Sequence, residues 1–75
     1  MSTAPDVDAR GLRCPLPVIR LAAAAAELPA GTSVAVLTTD PAASTDVPAW
    51  ARMRGHTLVV DEDHGDYRRI VVELG

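Results

Sequence analysis

Ser33-Val34-Ala35-Val36-Leu37-Thr38-Thr39, followed at once by Asp40-Pro41, is the stretch on which the fold turns. β-branched residues dominate it and no charge interrupts it, so it reads as a mostly buried strand that stops at the Asp-Pro pair. Upstream, Pro15 to Leu28 has helical spacing: Leu28, Leu21, Ala25, Val18, Ala22, Ala26 and Ile19 fill one wide arc, while Arg20, Ala24 and Glu27 face water. The Ala22–Ala26 tract favours helix over linker, and Pro29-Ala30-Gly31 ends it. Further upstream, Val7 to Arg10 is a short strand closed by Gly11. Downstream, a second helix is expected from Asp46 to Arg54, with Thr45 as N-cap, Gly55 as C-terminal stop, and a core face of Val47, Trp50, Ala51 and the stem of Arg54. Thr57–Asp61 and Tyr67–Leu74 are two last strands, joined by the acidic loop Glu62 to Asp66. Helix-connected strands are normally parallel and a short loop makes the last pair antiparallel. The order β-α-β-α-β-β therefore predicts an α+β two-layer sandwich, a mixed four-stranded sheet with two helices on one face.

Composition narrows the function. The chain has 75 residues, one domain's worth, and its 36 apolar residues include 13 Ala, one Trp, one Tyr and no Phe. At this size only about 60% of the unfolded surface is buried, so the core is thin and a large internal cavity is not expected. The longest apolar run, Leu21 to Ala26, falls far short of the roughly 18 residues of a membrane span. The first residues lack a basic and then an apolar region, which argues against a secretory signal and for the cytoplasm; residues 1–5 are expected to form a flexible tail. Net charge is −3 and all seven cations are scattered Arg, so no basic stripe offers itself to a phosphate backbone. A single cysteine, Cys14, excludes an internal disulfide and a paired-cysteine metal site.

That cysteine sits in Arg10-Gly11-Leu12-Arg13-Cys14-Pro15-Leu16-Pro17, where a helix begins. With Cys14 as N-cap, Pro15 is N1 and Pro17 is N3, positions where a missing N–H removes no intrahelical bond. The Leu16 N–H would then point near the sulfur. One amide, the helix dipole and the cations Arg13 and Arg10 favour a thiolate. Against this stands the common role of a free cysteine as a small buried hydrophobe. A surface cap flanked by Arg and Pro favours the reactive alternative. The carboxyl ends of the parallel strands share an edge, so Asp40, Thr45, Asp46 and the loop Asp61 to Asp66 belong near Cys14, and their charges push its pKa the other way.

Asp8-Ala-Arg-Gly-Leu-Arg-Cys14-Pro-Leu-Pro17, then Asp40-Pro41, Asp46-Val-Pro48-Ala-Trp50 and Gly55-His56-x-Leu58, resembles the TusA/SirA-like sulfur carriers over nearly the whole chain. The resemblance implies a sandwich like the C-terminal domain of a translation initiation factor. It implies that Cys14 accepts sulfane sulfur as a persulfide from a cysteine desulfurase or rhodanese and relays it to an acceptor protein, without cofactor or metal. Arg13, Pro15, Leu16, Pro17, Asp40 and Asp46 are the candidate binding residues around it. Two departures stand out: Ala51 replaces a second cysteine found in many relatives, and the alanine tract replaces lysines common in helix 1. No contact with nucleic acid or membrane is expected, and the free carrier is expected to be a monomer.

Other residues carry weaker signals. Asp40 either tunes the thiol and orients a partner or is a turn and cap residue. His56 falls at the end opposite Cys14 and is read as structural, and His64 among Asp61, Asp63 and Asp66 is read as a solvated turn rather than a metal site. Trp50 is read as core, and two aromatics are too few to stack single-stranded nucleic acid. The rival functions are a non-catalytic interaction module in which Cys14 is dispensable, and an RNA-binding domain suggested by fold analogy alone.

Overall fold

The computed structural model describes residues 4–75. Most of the expected tail lies outside them, but Ala4 donates its N–H to the Ser33 carbonyl at 2.9 Å and packs on the core. Six elements follow: β1 (Val7–Ala9), α1 (Leu16–Ala25), β2 (Ser33–Thr38), α2 (Ala43–Arg54), β3 (Thr57–Asp63) and β4 (Arg68–Glu73). β1 pairs parallel with β2, and β4 pairs antiparallel with both β2 and β3, giving the spatial order β1-β2-β4-β3. This is the expected mixed sheet with two helices. β3 runs parallel to β2, so the carboxyl ends of β1, β2 and β3 share one edge.

Alternation along the two inner strands makes the core. Val34 and Val36 of β2 and Ile70 and Val72 of β4 stand on one face and meet Leu21 of α1 and Ala43, Val47 and Ala51 of α2. On the opposite face Arg69 lies across the sheet, 3.1 Å from Asp6 and 3.7 Å from Glu62. β3 is the outer strand beside β4; all its residues but Asp61 are exposed, and a register shift at Leu58/Val60 marks a bulge.

Both helices depart from expectation at their starts. α1 begins one residue late, with Pro15 rather than Cys14 as N-cap, and after Ala25 its last turn tightens to i→i+3 bonds at Glu27 and Leu28. Its buried stripe is also narrower than the predicted arc. Pro17 and Leu21 are fully buried, whereas Ile19, roughly 160° round from Leu21 at about 100° per residue, is 52% exposed. α2 begins three residues early, on Ala42 rather than Thr45. The Asp40-Pro41 pair is the helix entry as well as the strand stop: the Asp40 carboxylate accepts the Ala42 N–H at 3.0 Å and its carbonyl accepts the Ala43 N–H at 3.1 Å. Ala43 thereby joins the core face that Arg54, which is exposed, was expected to complete.

Gly55 ends α2 as its sequence position suggests. Its φ is 75°, and the His56 N–H returns to the Ala51 carbonyl at 2.8 Å while the Gly55 N–H reaches Arg52, a Schellman closure. A Cβ at Gly55 would touch nothing within 4 Å. Gly55→Ala therefore isolates the cost of left-handed backbone, about 1–2 kcal/mol, and should lower the melting midpoint by several degrees. Gly55→Asn, which tolerates that conformation better, should lose less; equal losses for the two would remove this explanation.

Candidate functional site

Cys14 stands in the connection between β1 and α1 and is exposed. Two carboxylates from the β2–α2 side hold it by different atoms. Asp40 accepts the Cys14 backbone N–H on one oxygen and the Ala42 N–H on the other, so it ties the cysteine loop to the entry of α2. These two amides, with the charge of Arg13, hold the Asp40 carboxyl below its ordinary range. Asp46, in the first turns of α2, accepts a hydrogen bond from the Cys14 thiol, Sγ to Oδ2 at 2.8 Å. That bond, partial desolvation and the charges of Asp46 and Asp40 all raise the thiol pKa.

The expected activation of the sulfur is therefore corrected. Because Pro15 is the cap, the Leu16 N–H donates to the Arg13 carbonyl at 2.8 Å and is not available to the sulfur. Arg10 is also committed elsewhere. It grips Asp8 through Nε and Nη2, both at 2.9 Å, which pulls the Asp8 carboxyl down to about 2, and its guanidinium lies 5.4 Å from the centroid of Tyr67. In the resting protein Cys14 is a thiol held by a carboxylate.

Beside the sulfur, α1 and α2 leave an open groove lined by Pro15, Val18, Ala49, Trp50 and Met53, with Cys14 and Asp46 in its wall. Met53 is 82% exposed, and Leu16 and Ile19 are further exposed apolar residues of α1. Of the binding candidates, Asp40 and Asp46 thus contact Cys14, Pro15 lines the groove, Arg13 acts on Asp40, Leu16 is exposed near the start of α1, and Pro17 is buried in the core. The groove was not anticipated. Its signal was the helical spacing of Ala49, Trp50 and Met53, one side of a helix facing α1.

The acidic hairpin reaches the same edge, since Asp63, Asp66 and Tyr67 line a cleft with Thr39, Asp40 and Pro41. Its charge is partly offset. Arg68 lies 2.8 Å from Asp61 and 3.6 Å from Asp63, and His64 pairs with Glu62 while stacking on Tyr67. Among the described residues no group of three or more His, Cys, Asp or Glu is arranged to hold a metal ion. His56, read as structural, accepts the Gly75 N–H on Nδ1 at 3.0 Å, and its ring lies 4.9 Å from Trp50. Trp50 is half-buried, packing on the core while lining the groove. Among the described residues no helix is long and apolar enough to cross a membrane.

Comparison with known proteins fits this geometry. The profile of the family described as Sulfurtransferase TusA matches residues 6–74. The candidate sulfur carrier protein YrkI of Bacillus subtilis is 38% identical over 69 residues, covering 92% of each chain. A candidate sulfur carrier protein of Archaeoglobus fulgidus is 39% identical over 67 residues, covering 89% of this chain and 92% of that protein. The candidate sulfur carrier protein YrkF of Bacillus subtilis is 32% identical over 69 residues, which make up 37% of its length.

Proposed function

Because this chain belongs to the sulfurtransferase TusA family, whose members carry sulfur, we propose that it bears that sulfur as a persulfide on Cys14. The observation that supports the assignment is that the chain's one thiol is exposed and held by backbone and side chain at the edge where β1, β2 and β3 end. In the loading step the Cys14 sulfur attacks the terminal sulfur of a donor persulfide. A new Sγ–S bond forms, the donor's S–S bond breaks, and its electron pair leaves with the donor cysteine, which takes the proton that Cys14 gives up. One thiol and one persulfide enter and one of each leaves, so no oxidant, reductant or cofactor is consumed. Delivery repeats the exchange with an acceptor thiol.

The donor in this proposal is a cysteine desulfurase or rhodanese and the acceptor a downstream sulfur-handling protein, tRNA thiolation being one end use. The carrier works as a free monomer in the cytoplasm and is a single folding unit. It is a relay component rather than an independent turnover enzyme. Arg13, Pro15, Leu16 and Asp46 meet the partners, while Asp40 holds the cysteine loop in place. Intact-mass spectrometry after incubation with a desulfurase and cysteine tests the proposal: the protein should gain one reducible sulfur atom. A panel of desulfurase and rhodanese donors that leaves the mass unchanged would count against it.

A further inference from the structure

Asp40 and Asp46 flank the same cysteine but are differently placed. Both oxygens of Asp40 are occupied by backbone N–H groups, so its role is architectural. Asp46 instead meets the reacting atom through Oδ2. It lies in the first turn of α2, where the helix dipole favours a negative charge. It also shares the wall of the apolar groove with Cys14, so a protein covering that groove must cover Asp46 as well.

Resting on the reading of Cys14 as the sulfur-bearing residue, we propose that Asp46 is a latch on the loading step: in the free, unloaded carrier its carboxylate holds the Sγ proton, and a cationic side chain of a docked donor, by pairing with Asp46, releases the sulfur for exchange. The charged groups facing Cys14 fit this division. Asp46 and Asp40 approach from α2 and its entry, and the charge of Arg13, next in the chain, bears on Asp40. Among the described residues no cationic side chain pairs with Asp46, so the offsetting cation is assigned to the partner. In the free carrier the sulfur is protonated and a poor nucleophile towards stray disulfides and peroxides, since the thiolate is the reactive form. Docking restores reactivity only where the donor's persulfide is already in place. The proton leaves in the exchange itself, passing to the departing cysteine of the donor.

Two variants test the latch without any partner. Asp46→Asn removes the carboxylate's charge, and Ala49→Lys keeps it but sets an ammonium three residues along the same helix face, an internal stand-in for the partner's cation. Both should let thiolate absorbance appear at lower pH than in the wild type. Alkylation by iodoacetamide at pH 7 should speed up by about three- to tenfold, the span expected when a like charge beside a thiol is removed or offset. Circular dichroism establishes that each is folded. Unchanged or slower alkylation in the folded variants overturns the proposal, and if Asp46→Asn fails to fold, Ala49→Lys decides alone. The readout uses no sulfur donor, so a carrier that never acquires sulfur would refute the persulfide assignment and leave this result standing.

Discussion

Cys14→Ser should lose sulfur loading entirely while keeping the fold. Serine is nearly isosteric, and its hydroxyl can still donate to Asp46, so the local geometry survives; the backbone N–H to Asp40 is untouched. Cys14 is exposed and contributes nothing to the core, so thermal unfolding should match the wild type. The chemistry does not survive. A neutral hydroxyl is a far weaker nucleophile than a thiolate, and the chain has no second thiol to take over. Intact mass after incubation with donor and cysteine should therefore stay at that of the unmodified variant. The same substitution separates the sulfur carrier from a binding module. Cells in which Cys14→Ser replaces the wild type without loss of any carrier-dependent process would favour a role in which the fold is recognised and the sulfur is not used.

The second large effect concerns stability. Ile70 is completely buried at the middle of β4, opposite Val36 of β2, against both helices. The core has no Phe and its fully buried helix residues are mostly small, so few neighbours are large enough to fill a vacated space. Ile70→Ala should cost about 2–5 kcal/mol, a large part of the roughly 5–15 kcal/mol that stabilises an ordinary domain. In a domain of this size each kcal/mol moves the midpoint by about 4–8 °C, so the variant should melt at least about 8 °C lower. Ile19→Ala is the matched control. Its side chain is 52% exposed on α1, and truncation should change the midpoint little. A reversed ranking would mean that the wide apolar arc read from the sequence, and not the narrower stripe, describes how α1 packs.

What the sequence announced and what it hid divide along a physical line. Element order, strand directions and the shared edge of Cys14, Asp40 and Asp46 follow from periodicity and connection rules, which act over whole segments and tolerate errors of a residue or two. Helix starts depend on single hydrogen bonds. Asp40 reads as a strand stop and as a turn and cap residue, and its carboxylate does accept the Ala42 N–H, but the spacing does not say that this bond starts α2 there. Thr45 has a good capping side chain, which sets the expected start of α2 at Asp46, yet it lies inside the helix and the cap is Ala42. The electrostatics of Cys14 hinged on the same one-residue question. Moving the cap from Cys14 to Pro15 sends the Leu16 amide to Arg13 and leaves the sulfur facing Asp46, which reverses the expected direction of its pKa. The opposing influence of nearby carboxylates was legible; which influence would win depended on a distance.

The outer strand β3 bears on how the protein behaves in a crowd of its own copies. A sheet whose last strand carries Leu58, Val59 and Val60 in the open offers a template for edge-to-edge pairing. Here the bulge at Val59 leaves one residue out of step with its neighbours, and Asp61, Glu62 and Asp63 close the strand with three successive carboxylates. A second copy laid along this edge would find the hydrogen-bonding groups out of phase over one half and acidic side chains crowding the other. The irregularity is a colloidal safeguard in design: it removes from a thin-cored, apolar-edged protein the straight, uncharged strand on which copies would pair.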